Sequence, residues 1–308
     1  MKTGTPLKDI LRRVDPRFEA EIRGAKNRFR QTTGANLANS MRLHLQHGSN
    51  QAAVRVDIEP GHPRSLARFV HENWDAQAEH LILARSMMEC YLRDCSGLMN
   101  HFRAMPTNSE AERMAVEGWL QDMDKGRALV QQILDYAKGQ SIVAELLAID
   151  EDILGTYSFE DGAGRVRIYW AVVAFVALSL GIHPVDLALV VLAHELAHAF
   201  THLGHDADGH TWIGFFAADR TIAEGLAQYY THLFVHTVDL KGRELGVRKA
   251  YEALTPLQPP TYQRHLQWNE QWDPEAIRAA MLEYRNETRG NRDEFEERIA
   301  FHARRLAP

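Results

Sequence analysis

The sequence predicts a predominantly helical α+β protein with a small edge sheet and a helical N-terminal region. Three observations carry that prediction. Apolar residues recur at helical spacing from Pro63 to about Leu147, and again from about Pro184 to Gly204. Only short stretches alternate apolar with polar residues, as half-buried strands do. The chain has 308 residues and 45% hydrophobic content, which supports one large domain or two ordinary ones around a real core.

Taken in order, the first thirty residues carry nine Lys/Arg against four Asp/Glu, a local charge of +5, and read as a solvated basic helix. "SMRLHLQH" and "AAVRVDIEP" both alternate, with "GSNQ" between them. Met41, Leu43 and Leu45 would face one way, as would Val54, Val56 and Ile58, which predicts a β-hairpin. The helical stretch after Pro63 breaks once, at "AMPTNSEAE", where Asn108 or Ser109 can cap a new helix whose first turn is acidic. "GTYSFEDGAGRVRIYW" then offers two β-like runs around the turn "EDGAG", a second hairpin or a pair of edge strands. A long helix follows, with Pro184 at its first position and Gly204 just past its end. Another covers roughly 220–239. After the Pro-rich loop "LTPLQPPTYQ", two polar helices begin near "DPEAIRAAM" and "NRDEFEER". No low-complexity linker divides the chain. The expected organisation is an N-terminal hairpin and helical region over 1–147, then a catalytic domain over 148–308 with a helical C-terminal part.

Bulk properties narrow the function. A net charge of −6 with mixed signs argues against a nucleic-acid partner. Cys90 and Cys95 are the only cysteines, too few for a structural zinc site or a disulfide framework. The N-terminus shows no apolar signal region. The most apolar run, "IYWAVVAFVALSLGI", has about 15 residues, short of the ~20 that span a bilayer. A cytoplasmic protein without a membrane span is expected.

The chemistry concentrates in "VVLAHELAHAFTHLGHDADGHTW". His194 and His198 are four apart on a helix, so both imidazoles share one face, about 6 Å apart along the axis, and can reach one ion. Glu195 lies between them, placed to activate a metal-bound water, the HExxH arrangement of zinc peptidases. The alternative is a helix of satisfied histidines. The setting weakens it, because an apolar helix would then bury two imidazoles and a carboxylate without partners. A catalytic zinc needs a third protein ligand. His202 lies about 12 Å in rise from His194, too far for one ion. The metzincin pattern asks for Gly at 201 and His at 204, where this chain has Thr201 and Gly204. His205 and His210 remain open, and "DGHTW" is faintly similar to SprT-type proteases.

A second motif lies in "TIAEGLAQYYTH", whose Glu224 stands 26 residues after His198. With it the chain resembles the gluzincins, zinc peptidases with HExxH on one helix and a ligand Glu on a second, written Glu-Gly-x-Ala-(Glu/Gln)-Tyr in many of their families. The resemblance covers about residues 155–240. It implies a thermolysin-like zincin core, Zn2+ as cofactor, and His194, His198 and Glu224 as ligands. Gly225 and Ala227 would let the two helices approach closely around the metal. Where thermolysin-like enzymes place an Asp that orients a zinc histidine, this chain has Gln228, whose amide oxygen can accept the same bond. No aminopeptidase-type Gly-Ala-Met-Glu-Asn strand is present, so an endopeptidase is implied.

The implied function is hydrolysis of peptide bonds in a peptide or protein substrate, with Glu195 as general base. Such sites also need a donor for the developing oxyanion. Tyr229 and Tyr230, about 140° and 240° around the helix from Glu224, should point away from the metal. Tyr262 and His265 in "TYQRH" are the candidates at a cleft wall. "RVRIYW" is either the edge on which substrate pairs or an ordinary core strand. Two rival readings stand beside this one. One is a non-catalytic interaction protein with structural zinc, which the intact Glu195 disfavours. The other is a SprT-type protease with a His third ligand.

Overall fold

The computed structural model describes residues 11–12, 14–45, 54–73, 76–136, 142–207, 209–288 and 290–306. Among these, the protein is predominantly helical with one small mixed sheet, as expected. In order, the elements are α1 (Arg17–Met41), β1 (Val54–Glu59), α2 (Arg64–Asn73), α3 (Ala76–Arg103), α4 (Glu110–Tyr136), α5 (Ile142–Leu147), β2 (Gly155–Glu160) and β3 (Ala163–Tyr169). Then come α6 (Trp170–Ser179), α7 (Pro184–Leu203), α8 (Arg220–Thr237), α9 (Glu244–Leu254), α10 (Pro260–Gln271), α11 (Pro274–Tyr284) and α12 (Arg292–Leu306).

The chain forms two compact units. One comprises Met1–Ile10 with Phe69–Glu145, and the other Leu11–Arg68 with Leu146–Pro308, so the stretch 1–147 is shared between both. In the first unit α3 and α4 pack against each other. The Ser109 hydroxyl accepts from the Glu112 amide at 3.2 Å and so caps α4, while the Glu112 carboxylate accepts from the Asn108 amide at 2.7 Å.

The second unit is built around α7. His183 caps it by accepting from the Val185 amide at 3.2 Å, and Pro184 opens its first turn. Every residue from Pro184 to His202 is buried. The helix is long and apolar enough to cross a membrane, yet it is enclosed by the protein, between α1, α6, α8, α9 and the sheet. α1 lies on it through the stripe Ile22, Ala25, Phe29, Thr33, Leu37 and Met41. The basic N-terminal helix is therefore solvated on one side only.

The sheet has the order β1-β3-β2, with β1 parallel and β2 antiparallel to β3. Register places Gly155, Tyr157 and Phe159 of β2 beside Ile168, Val166 and Gly164 of β3, which stand beside Ile58, Val56 and Val54 of β1. This set forms the face toward α7. The opposite face is a lattice of charge, with Arg165 on Asp57 (2.9 Å) and Glu59 (3.5 Å), and Arg167 on Glu160 (2.7 Å). Asp161 and Gly162, at φ 52° and 78°, make the two-residue turn joining β2 to β3, as the motif "EDGAG" predicts.

Several expectations need correction. α1 continues to Met41 because its 3.6-residue stripe overrides the alternation of "SMRLHLQH". Among the described residues of that run, only His44 makes a bridge, to His205, and the "GSNQ" turn lies outside the described residues. β1 pairs with β3 instead. Of the two readings of "RVRIYW", the core strand is the one found: it is β3, the central strand, with β1 and β2 at the two edges. Gly204 adopts φ −62°, not the left-handed turn of a helix end. Its glycine is required by close approach, since a Cβ there would lie within 2.9 Å of Leu43. "PTYQRH" lies on α10, not in a loop.

Two buried imidazoles make this fold sensitive to acid. Burial pushes His202 and His265 each down to about 4 from 6.5. Between those pH values the unfolded chain binds protons at both rings and the folded chain does not. Stability is thus complete above pH 6.5 and falls as pH drops toward 4. Thermal melts across that window should show a steeper pH dependence for wild type than for His265→Gln. Equal slopes would contradict the assignment.

Candidate metal centre

Two helices bring the chemistry together. α7 presents His194 and His198 one turn apart, with Glu195 directly after the first, in a segment otherwise composed of Leu, Ala and Val. α8 is capped by Asp219, which accepts from the Thr221 amide at 2.8 Å, and it packs along α7. That crossing delivers Glu224, itself buried, to the two histidines. His194 Nε2 and His198 Nε2 are 3.1 Å apart, and each lies 3.3 Å from Glu224 Oε2. A tetrahedral ion with bonds of about 2.0–2.1 Å holds its ligand atoms about 3.3–3.4 Å apart, so the triangle fits one divalent ion. Glu224 Oε2 also lacks a hydrogen-bond partner, a cost that coordination removes. His194, His198 and Glu224 are positioned to hold a metal ion.

The electrostatics follow from burial. Burial alone would raise the Glu224 carboxyl, but the facing imidazoles of His198 and His194 outweigh it and hold the carboxyl well below its usual range. Glu195 moves the other way. Burial first, then the charges of Asp152 and Glu224, push it well above an ordinary carboxylate. Its Oε2 is buried without a partner. Gly155 opens β2 against it, for a Cβ at that position would lie 2.7 Å from Glu195 Oε1. The edge strand can reach the site only because this residue is glycine.

Other residues are placed as follows. Tyr262 of α10 stacks on His194 with ring centroids 5.8 Å apart, and its hydroxyl donates to Asp152 and accepts from Arg220 Nη2 at 2.9 Å. His265 is buried elsewhere. Its ring nitrogens are taken by the Tyr251 hydroxyl (2.5 Å) and the Tyr262 carbonyl (2.7 Å), so it is not a group at the metal ligands but one that fixes α10. His202 pairs with the Tyr157 hydroxyl at 2.8 Å, and His205 Nδ1 meets the Gly209 carbonyl at 2.8 Å. Among the described residues neither these nor His210 joins the ligand group. Tyr229 and Tyr230 are buried, as their angular positions predict.

Two details depart from expectation. Gly225 accommodates Trp268 of α10, whose ring would lie 2.6 Å from an added Cβ, rather than the HExxH helix. Gln228 donates to Gln258 Oε1 at 3.0 Å, and its own Oε1 has no partner, as neither histidine Nδ1 does. The histidine–Gln228 bond is absent.

Sequence reasoning missed Asp152, Arg220 and Tyr157. Arg220 lies one turn before Glu224 and 3.4 Å from its Oε1, a spacing that could have flagged it. Asp152 sits in the loop before β2, where no spacing points to the site. Its carboxylate nevertheless falls within 4.8 Å of ligand atoms on His194 and Glu195.

Removing a ligand should be decisive. Glu224→Ala should lower metal affinity by more than the ~10–100-fold that loss of an outer hydrogen bond costs. His205→Ala and His210→Ala should retain the ion. Metal content after dialysis reads this, and full retention in Glu224→Ala would dismiss the ligand set.

No protein-family model matches the chain, and neither a curated protein nor a solved structure matches it. The metal centre therefore rests on the convergence of its own side chains.

Proposed function

We propose that the chain is a zinc-dependent metallopeptidase of gluzincin type with a thermolysin-like core, acting on peptide or protein substrates as an endopeptidase. The observation that carries this reading is the triangle of His194, His198 and Glu224 beside Glu195, a buried carboxylate with one free oxygen. A purely structural site has no use for that fourth group.

Bound zinc would acidify a water toward neutrality and polarise the scissile carbonyl. Glu195 takes the proton of the attacking water as its oxygen bonds to the carbonyl carbon. The same carboxyl then returns the proton to the amine as the C–N bond breaks. Its raised affinity for a proton suits both halves of that cycle. Tyr262, stacked beside His194, becomes the donor for the developing oxyanion by turning its one hydroxyl proton from Asp152 to the substrate, while Arg220 goes on donating to its oxygen. The open edge of β2 begins at Glu195 and offers backbone groups to an extended peptide. An apolar recess of Ile149, Ile153, Leu154, Val190, Val191 and Leu254 adjoins His194 and Glu195 and takes a neighbouring side chain.

Glu195→Gln should keep the metal and lose hydrolysis by about 10²–10⁴-fold, since it preserves shape and removes the base. Cleavage of one peptide at equal rates by both proteins would remove Glu195 from the mechanism. Tyr262→Phe should keep the metal and lower kcat by about 10²–10³-fold with KM little changed. A rise in KM alone would reassign Tyr262 to substrate binding. Metal binding with no hydrolysis of any peptide would favour the non-catalytic interaction protein.

A further inference from the structure

Beside the metal ligands, on the side away from the aliphatic recess, the protein exposes a cluster of aromatic rings. Tyr157 of β2 lies parallel to His198 at 6.4 Å, with an interplanar angle of 16°. Phe216 lies parallel to Tyr157 at 6.2 Å and 10°. His202 meets Phe216 at 5.1 Å and Phe159 at 5.2 Å, both edge to face. These rings are continuous from a metal ligand outward.

The outer members are not buried by the fold. Phe216 is 61% exposed, Phe159 is 44% exposed, and Ile213 in the same segment is 87% exposed. The neighbouring Phe215 and Trp212 are packed inside, so the turn had apolar residues enough for the core. Scattered exposed apolar residues need no explanation, but a continuous cluster opening from a site does.

The strand sets the direction. Gly155, Tyr157 and Phe159 share one face of β2, and they meet Glu195, then His198 and His202, then His202 in turn. A peptide extended along this edge advances about 3.3 Å per residue. Rings at Tyr157 and Phe159 then stand about two to four residues from the bond at Glu195.

We propose that Tyr157, Phe159 and Phe216 form a specificity shelf that receives an aromatic or large aliphatic side chain of the substrate, two to four residues from the scissile bond. This inference rests on the peptidase reading for its direction, and its occupant follows from continuity with that site. A ring seated there packs on the exposed parts of Phe216 and Phe159, in the offset or edge-to-face arrangements that aromatic pairs prefer. A charged or small side chain gains none of this.

The test uses matched peptides with Phe or Ala at those positions. Binding is measured by fluorescence anisotropy to the full-length Glu195→Gln protein, and hydrolysis by the unaltered protein. The Phe peptide should bind about tenfold more tightly and show a kcat/KM about tenfold higher. Phe216→Ala and Phe159→Ala, both at exposed positions, should each reduce that ratio to about two- to threefold. Equal handling of the two peptides, or a ratio unchanged in both variants, overturns the shelf while leaving peptidase activity standing. A binding ratio that collapses in the variants although no peptide is hydrolysed keeps the shelf and removes the peptidase. Sedimentation decides the rival occupant: a dimer that Phe216→Ala converts to monomer, with an unchanged peptide ratio, assigns the cluster to a second copy and overturns the proposal.

Discussion

A carboxylate and two imidazoles meeting in a helix–helix crossing is the constraint on which the rest of this structure turns. α7 is buried on all sides, and around His194, Glu195 and His198 its residues from Val190 to Ala199 are otherwise Leu, Ala and Val. Inserting His194, Glu195 and His198 there is costly unless something answers their polarity. Glu224 answers part of it, and a divalent ion would answer more. The surrounding elements can be understood as what encloses that crossing: α1 and α6 on the helix flanks, the sheet on one side, and α10 over the ligand pair through Tyr262.

Small residues decide how closely these elements come. Gly155 lets the edge strand touch Glu195, Gly225 receives Trp268 so that α10 lies against α8, and Gly204 lets the end of α7 press on Leu43. In each case an added Cβ would overlap a neighbouring atom. Each glycine lets a backbone approach closely: the strand edge to Glu195, α10 to α8, and the end of α7 to the N-terminal segment.

The charges near the site are coupled through one arginine. Arg220 reaches Glu224, Asp152 and the Tyr262 hydroxyl, so it links the ligand helix, the loop before β2 and α10. Without a cation at that position, Asp152, Glu195 and Glu224 would repel one another in a site that water reaches poorly. The guanidinium is therefore a positioning group for three segments at once. The Tyr157–His202 pair does comparable work on the other side without charge, since burial keeps that imidazole neutral.

Much of this was legible in the sequence, and for a local reason. Spacing along a helix is set by hydrogen-bond geometry, so His194 and His198 share a face wherever the helix goes, and His202 lies too far along it to join them. Pro184, the turn Asp161–Gly162 and the buried faces of Tyr229 and Tyr230 follow from the same short-range rules. What the sequence could not decide is which distant segments meet. The alternation in "SMRLHLQH" competed with a helical stripe ending at Met41, and packing on α7 favoured the helix. "RVRIYW" reads alike as edge or centre, because its pattern records one buried face and not what pairs on each side. Asp152, Arg220 and Tyr157 gained their roles only through the crossing of α7 with α8 and the approach of β2. Pairing across long separations depends on burial and shape over the whole unit, and no local spacing encodes it.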